Sequence, residues 1–192
     1  MGFLTDISID NLQQLLQIAD GQYFKDYRTL FSATRVDKNN ETPLGVALNE
    51  ILIKGERPGK SLDFSIFINE KTRLNYHADG FLISTPTGST AYALSAGGPI
   101  IHHCLDAQLL LPICSHKMNT RPVVMPSDAE ILIQIGPLHN RPAALCIDGH
   151  ITAQLTASEK VIVRKVSQPL CLIHAKDFDS KSVSALLDFS AP

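Results

Sequence analysis

Hydroxyl side chains crowd one short stretch near the middle of the sequence, at Ser84, Thr85, Thr87, Ser89 and Thr90. Pro86 and Gly88 lie among them, which predicts a tight turn between a strand and a helix. Gly88 permits either a positive φ or the close approach of a ligand to the backbone. Exposed amides at the start of the following helix would favour an anion or another hydrogen-bond acceptor, and Tyr92 could offer a flat face to a ring. The lysine of a Gly-x-x-x-x-Gly-Lys-Ser/Thr loop is missing, so phosphate cradling of that kind is excluded.

A second interpretation of this stretch needs no ligand. Serine and threonine side chains commonly cap helices and glycine commonly allows turns, so an arbitrary hydroxyl-rich turn is more often structural than functional. The elements around it are a brief apolar strand over 81–84 and a short helix over 91–96, which Gly97, Gly98 and Pro99 end.

The remaining pattern predicts a mainly β fold with a few short helices, arranged as a two-layer antiparallel, sandwich-like domain. An amphipathic helix is expected over 8–20, capped by Ser8 or Asp10 and ended by Gly21, with Leu12, Leu15, Leu16 and Ile18 as its apolar stripe. Residues 23–36 alternate loosely. Runs over 43–53 and 62–69 are strand-like, and the polar insert 54–60 predicts a long-looped hairpin between them. Further strands are expected over 108–114, 122–125, 130–135, 143–147, 161–166 and 170–173. We expect one domain over 1–175, including an entry segment and helix over 1–22, and a helical tail over 176–192.

Composition narrows the function classes. A formal net charge of -2 gives no basic field, which argues against nucleic acid as a partner. No stretch reaches the roughly 20 apolar residues of a membrane span, and no secretory signal is visible, so a cytoplasmic location is expected. The cysteines are expected to be reduced and mostly buried. His102, His103 and Cys104, with Cys114 and His116, suggest zinc, but their spacing matches no standard structural site, so no metal site is predicted.

The run from Asp79 to Pro99 resembles, nearly letter for letter, the DG-x-x-x-STPTGSTAY-x-LSAGGP signature of the NAD kinase family. Asn49-Glu50 resembles the Asn-Glu motif of that family, and Gly2–Asp6 resembles the segment that follows its N-terminal nucleotide domain. Segments 112–116, 121–126 and 146–149 are similar to later parts of the family pattern. The resemblance implies transfer of a phosphoryl group from ATP or polyphosphate, with Mg²⁺, to the 2′-hydroxyl of the adenosine ribose of NAD.

The same resemblance implies an NAD-binding set. Asn49 and Glu50 would hydrogen-bond ribose hydroxyls, Tyr92 would lie against a base or the nicotinamide ring, and Asp79 would accept from the nicotinamide amide. The other residues implied to contact NAD are Lys60, His77, Thr87, Thr90, Ala91, Ser95, Asp148 and His150. Many relatives place Gln at the position of His150. A homo-oligomer, either a dimer or a tetramer, is also implied.

The family's other signature, a Gly-Gly-Asp-Gly turn that carries the catalytic aspartate, is missing from this sequence. The Asp-Gly pairs at Asp20, Asp79 and Asp148 are not preceded by two glycines, so no residue is assigned a catalytic role. We therefore expect a substrate-binding part of an NAD kinase, cut off from its N-terminal domain and nearly inactive alone. The alternative is a dinucleotide-binding or regulatory module that lacks the chemistry. A lipid or diacylglycerol kinase is disfavoured by the Ser84–Tyr92 run.

Overall fold

The computed structural model describes residues 12–37, 40–55, 61–117, 119–136, 143–156 and 159–175. Its helices are α1 (Leu12–Ala19) and α2 (Tyr92–Ser95), with a 3₁₀ turn over Thr87–Thr90. The strands are β1 (Tyr23–Arg28), β2 (Phe31–Asp37), β3 (Asn40–Ala47), β4 (Glu50–Gly55), β5 (Leu62–Ile68), β6 (Thr72–Ala78), β7 (Gly80–Ser84), β8 (Ala107–Ile113), β9 (Val123–Pro126), β10 (Ile131–Ile135), β11 (Ala143–Ile147), β12 (His150–Leu155), β13 (Lys160–Lys165) and β14 (Leu170–Ala175). The expectation of a mainly β chain with a few short helices is confirmed.

The chain divides into two compact units, and the larger one, Arg28–Pro169, contains two six-stranded sheets. Sheet I has the strand order β3-β2-β13-β10-β5-β6, and sheet II has the order β12-β11-β4-β7-β8-β9. The strand pairs are antiparallel. Residues of alternate parity along each strand, such as Phe64 in sheet I and Phe81 in sheet II, share one core. The predicted two-layer antiparallel fold is thus observed in this unit.

Sheet II is buried on both faces at its centre. Every residue of β7 and of β11 is buried, and a second core forms on the outer face around Leu52, Leu82 and Leu109. Ala93 of α2 and Ile101 cover that face. Continuous apolar strands need cover on both sides, and the segment after the hydroxyl-rich turn supplies it here. The turn is therefore held against the outside of sheet II.

The predicted hairpin between 43–53 and 62–69 is wrong. The first run is divided at residues 48–49 into β3, which belongs to sheet I, and β4, which belongs to sheet II. Strand β4 pairs with β7 and β11, whereas β5 pairs with β6 and β10. A run that changes sheets has no break in hydrophobicity at the crossing, so its pattern looks like one strand. Strands β6 and β12 were not predicted, because both are mostly exposed and polar.

The smaller unit, Met1–Tyr27 with Leu170–Pro192, contains α1 and most of the two-stranded sheet of β1 and β14. Gly21 ends α1 as predicted: its φ is 80°, and Gly21 and Gln22 donate to the carbonyls of Ile18 and Gln17. Leu15 and Leu16 of the predicted apolar stripe are exposed. The caps expected at Ser8 or Asp10, the Gly2–Asp6 segment and the tail over 176–192 lie outside the described residues. None of the described helices is long and apolar enough to cross a membrane.

The cysteines depart from expectation. All are free thiols, but only Cys146 is buried, whereas Cys104, Cys114 and Cys171 are exposed. Cys146 belongs to a central strand that is covered on both faces, while Cys104 and Cys114 lie in the connections that flank β8. The prediction of mostly buried thiols is therefore wrong.

Candidate functional site

A clamp of hydrogen bonds, from one side-chain carboxylate to three backbone N–H groups, fixes the bend between β3 and β4. The Asp148 carboxylate accepts from the backbone N–H groups of Leu48 at 2.8 Å, Asn49 at 2.7 Å and Glu50 at 3.0 Å. Asp148 and Gly149 form the two-residue turn from β11 to β12, with φ of 47° and 80°, as Asp-Gly turns in hairpins favour. Both oxygens of Asp148 are thus engaged by the chain itself, so its observed role is to hold the Asn49-Glu50 backbone.

The hydroxyl-rich turn packs directly on the same bend. Thr85 donates from its Oγ1 to the Leu48 carbonyl at 2.5 Å and from its backbone N–H to the Asn49 carbonyl at 2.9 Å. A Cβ added to Gly88 would lie 2.1 Å from the Asn49 carbonyl oxygen. Gly88 therefore serves close approach, but its neighbour is the Asn49 backbone rather than a ligand, and its φ is not positive. The two sequence motifs form one packed unit.

Most of the hydroxyls in this turn point inward. Ser89 Oγ donates to Pro86 O at 2.6 Å and also bonds both backbone groups of Ile101, while Ser84 Oγ donates to Thr85 O at 2.8 Å. The structural interpretation therefore holds for Ser84, Thr85 and Ser89. Thr87 and Thr90 are only half-buried, and Thr90 donates to Thr87 O at 3.1 Å.

One cation reaches this turn from β1. Arg28 Nη1 donates to Thr87 Oγ1 at 3.4 Å, and the Arg28 side chain is buried. Arg28 was not predicted as a site residue, because nothing in its sequence neighbours marks a single arginine in a strand as functional. Thr87 consequently lies beside a positive charge.

A cavity of about 400 Å³ opens on the outer face of sheet II. Alternate residues of one strand point to the same face, so Glu50, Leu52 and Lys54 of β4 all line it. Tyr92, whose side chain is 45% exposed, forms another wall. Cys146 and Gly149 complete the lining. The cavity thus joins the Asn-Glu motif to the aromatic residue that follows the hydroxyl-rich turn.

Glu50 is the least satisfied polar group of this cavity. Its side chain is 6% exposed, and its Oε2 atom is buried without a hydrogen-bond partner in the described part of the chain. Burial, and secondly the charge of Asp148, raise the pKa of Glu50 to about 6. A buried oxygen that accepts no hydrogen bond lowers the stability of the folded protein, and a ligand that brings a hydrogen-bond donor would remove this cost.

Lys54, Leu52 and Cys146 were not predicted as site residues. Burial raises the pKa of the Cys146 thiol, and the charge of the nearby Lys54 acts in the opposite direction. Cys146 therefore contributes an uncharged thiol to the lining of the cavity. The only signal in the sequence was the alternation along β4, which places residues 52 and 54 on the side of Glu50.

Asp79 and His77 belong to a second polar group. Ser61 Oγ donates to Asp79 Oδ1 at 3.0 Å and lies 2.7 Å from His116 Nε2. The rings of His116 and His77 meet edge-on with centroids 4.8 Å apart, and His77 Nδ1 lies 2.8 Å from Asp63 Oδ1. These two predicted residues are thus brought together, but neither lines the 400 Å³ cavity.

The other predicted positions are placed as follows. Ala91 joins the 3₁₀ turn to α2, and Ser95 is exposed at the end of α2. His150 is exposed, and its Nδ1 lies 3.0 Å from Asp148 O. Asn49 is half-buried and beside Glu50, whereas Lys60 lies outside the described residues.

Known proteins are similar to this chain in sequence and in fold. An NAD kinase from Coxiella burnetii is 39% identical over 179 residues, which is 93% of this chain and 60% of that protein. The chain therefore spans about 60% of the length of that relative. A yeast NADH kinase solved with NADH has the same fold, with a TM-score of 0.88 at 24% identity over 100% of this chain and 58% of its own. An NAD kinase from Archaeoglobus fulgidus solved with ATP has a TM-score of 0.77 at 22% identity. That match covers 98% of this chain and 71% of the Archaeoglobus chain.

Two family models match the chain. One, described as a bacterial antitoxin of the ParD type II system and RHH, matches residues 9–77, which is less than half of the chain. The described residues of that range are largely in β-strands. The other, described as the ATP-NAD kinase C-terminal domain, matches residues 48–175 and so includes β4, the hydroxyl-rich turn and the Asp148 turn. The chain belongs to the ATP-NAD kinase C-terminal domain family.

Proposed function

We propose that this chain supplies the NAD-binding site of an NAD kinase, which phosphorylates the 2′-hydroxyl of the adenosine ribose of NAD. The observation that carries the proposal is Glu50, which lines a cavity that Tyr92 flanks and whose buried Oε2 has no hydrogen-bond partner in the described part of the chain. A ribose brings adjacent hydroxyl donors, and a base brings a flat face for the aromatic ring. The names of the Coxiella, yeast and Archaeoglobus proteins agree with this chemistry.

The residues divide the ligand between them in this proposal. Asn49 and Glu50 bind the ribose hydroxyls and Tyr92 packs on a ring. Asp79 accepts from the nicotinamide amide. The remaining contacts proposed for NAD are Lys60, His77, Thr87, Thr90, Ala91, Ser95 and His150. Asp148 acts through the Asn49-Glu50 backbone that it holds.

No residue of this chain is assigned to hold Mg²⁺. Magnesium prefers oxygen ligands, whereas the one group of close potential ligands in the described part of the chain is His102, His103 and Cys104, a nitrogen and sulfur set. These residues do not fit the ion. We propose that the metal, together with ATP or polyphosphate, is bound outside the described residues. A dimeric or tetrameric assembly and a cytoplasmic location belong to the same proposal.

We also propose that the isolated chain turns over slowly or not at all. The larger unit contains two aspartates of Asp-Gly pairs, Asp79 and Asp148. Asp79 accepts a hydrogen bond from Ser61, and Asp148 accepts hydrogen bonds from backbone N–H groups. A general base contributes ~10²–10⁴-fold, and positioning of the phosphoryl donor contributes more. NADP formation by the isolated chain at an ordinary enzyme rate would contradict this.

Calorimetric titration of the chain with NAD and, separately, with ATP tests the binding proposal. We expect NAD to bind and ATP to bind far more weakly. Tyr92→Ala and Asn49→Ala should each weaken NAD binding by about tenfold. Tyr27→Ala, which removes another exposed tyrosine, is the matched control and should leave the affinity unchanged. Unchanged affinity in both site variants would overturn the residue assignments.

Because the carboxylates of Asp79 and Asp148 are hydrogen-bonded within the chain, a second candidate function also fits. It is a dinucleotide-binding or regulatory module without catalytic activity. Both candidates predict NAD binding, so binding alone cannot separate them. A Gly-Gly-Asp-Gly turn encoded upstream in the same reading frame would favour the kinase. NADP formation by the longer chain, abolished by Asp→Asn substitution in that turn, would decide for it.

A further inference from the structure

We propose that His102, His103 and Cys104 form a binding site for a borderline divalent cation such as Zn²⁺, separate from the NAD site. One ligand atom from each residue lies within 4.8 Å of the other two. Consecutive side chains diverge in an extended strand, so this convergence requires the turn that they occupy. The proposal does not depend on the proposed kinase function.

The turn is held by hydrogen bonds at both of its ends. Leu105 N donates to His102 O at 2.9 Å, which closes the turn around the three residues. Just before it, Ile101 N donates to Ser89 Oγ at 2.9 Å and Ser89 Oγ lies 3.1 Å from Ile101 O. The backbone that carries the donors is therefore anchored to the buried part of the hydroxyl-rich turn, which lowers the entropy cost of gathering them round an ion.

The donor atoms have the chemistry that zinc prefers. His102 Nδ1 accepts the Cys104 backbone N–H at 3.3 Å, a long hydrogen bond that a cation bound through this nitrogen would replace. The two imidazole rings stack with centroids 4.5 Å apart, and Cys104 is an exposed free thiol. Zinc binds imidazole nitrogen at about 2.0–2.1 Å and thiolate at about 2.3 Å. Tetrahedral donors would lie about 3.5 Å apart, so small rotations of these accessible side chains would complete the set.

The fourth position would be open to water or to an external ligand. Asp106, the nearest acidic residue along the chain, does not join the cluster, and its Oδ1 accepts hydrogen bonds from Lys165 and Ser127. Cys114 and His116 do not join the cluster, and His116 is hydrogen-bonded to Ser61. The proposed site has three protein ligands and one exchangeable position. It therefore differs from a closed structural zinc site with four protein ligands, which is the kind of site that the sequence spacing does not match.

Cobalt titration followed by absorption spectroscopy tests the proposal on the reduced chain, because Co²⁺ bound to a thiolate gives a charge-transfer band in the near ultraviolet. We expect this band, its reversal by Zn²⁺, and one proton released per thiol that binds. Cys104→Ser should abolish the band, and His103→Ala should weaken Co²⁺ binding by about tenfold or more. Cys171→Ser removes another exposed thiol as the matched control and should change neither.

Circular dichroism of each variant shows whether the fold is kept, and these exposed or half-buried positions should leave it unchanged. Absence of the band in the unmodified chain would overturn the proposal. A band that survives Cys104→Ser, or that disappears in Cys171→Ser, would place the thiolate elsewhere and would overturn it equally.

Discussion

Asp148 Oδ1 accepts the backbone N–H of Asn49 at 2.7 Å, although 99 positions of sequence separate the two residues. The same carboxylate, through its charge, helps to raise the pKa of Glu50. Asp148 therefore does two things to the Asn-Glu motif: it fixes the backbone at the bend between β3 and β4, and it favours the protonated form of the adjacent carboxyl. Gly88 packs against the Asn49 backbone at the same bend.

Asp148→Asn should lower the free energy of unfolding by about 2 kcal/mol. Asparagine tolerates the positive φ of this turn, so the loss is specific to the side chain. An amide has one acceptor oxygen where the carboxylate has two, so at least one of the N–H groups of Leu48, Asn49 and Glu50 loses its partner. Urea unfolding measures the change. Asp128→Asn, at an exposed aspartate, is the control, and equal costs in the two variants would contradict the clamp.

Gly88→Ala should cost about 3 kcal/mol or more and should also weaken NAD binding. The added Cβ would lie 2.1 Å from the Asn49 carbonyl oxygen and 2.4 Å from its carbon, which are backbone atoms that cannot rotate away. Thermal unfolding and NAD titration measure the two effects.

The control for Gly88 is Gly97→Ala. Nothing lies within 4 Å of a Cβ at Gly97, but its φ is 85°, so this variant loses only about 1–2 kcal/mol from left-handed backbone strain. If Gly88→Ala costs no more than Gly97→Ala, the close packing against Asn49 is not what requires glycine at residue 88.

The fold was predictable from local sequence wherever one strand stayed in one sheet. Alternation along 62–68 and continuous apolar runs such as 143–147 locate β5 and β11, because burial on one face or on two leaves those patterns. The bend at 48–49 left no such pattern. Its conformation depends on Asp148 and Thr85, which lie far away in sequence, so only the folded chain reveals it.

The pKa of Glu50 predicts a pH-dependent stability. In the unfolded chain its pKa has the ordinary value of 4.5, and in the folded chain it is about 6. A raised carboxyl pKa stabilises the folded state fully below 4.5, and this contribution is lost as the pH rises to about 6. Over that window the stability of the unmodified chain relative to Glu50→Gln should fall by about 2 kcal/mol. Urea unfolding at several pH values measures it. Glu70→Gln, at an exposed glutamate, should show no such trend.

NAD binding should have the opposite dependence on pH. The ionised Glu50 is the better acceptor for ribose hydroxyls, so NAD affinity should rise as the pH increases through about 6. Calorimetry at fixed ionic strength checks this, and Glu50→Gln should bind more weakly with a flat profile. An affinity that rises equally in the variant would show that another group titrates.

The sequence could predict which residue types the candidate site contains, but not which atoms each of them contacts. Glu50 and Tyr92 line one cavity, as expected of ligand contacts. Asp148 and Gly88 matched the family pattern just as well, yet the structure uses both to hold the backbone of Asn49. A motif records that a residue type is needed at a position. Only the partners of its atoms show whether the chain or a ligand needs it.

The hydrogen-bond chain from His116 through Ser61 to Asp79 yields a prediction about ligand selectivity. The Asp79 carboxylate can only accept, so Ser61 donates its single proton to Asp79 at 3.0 Å and must accept from His116 Nε2 at 2.7 Å. His116 therefore orients Asp79 through Ser61. If Asp79 holds the nicotinamide amide, as proposed, Ser61→Ala and His116→Ala should each weaken NAD binding by about fivefold and leave binding of ADP-ribose, which lacks nicotinamide, unchanged. Ser65→Ala, which removes another hydroxyl from the same strand region, should affect neither ligand. Competitive titrations measure the ratio of the two affinities. An equal loss of affinity for NAD and ADP-ribose would mean that the hydrogen bonds from His116 through Ser61 to Asp79 stabilise the fold and do not position a group that binds nicotinamide.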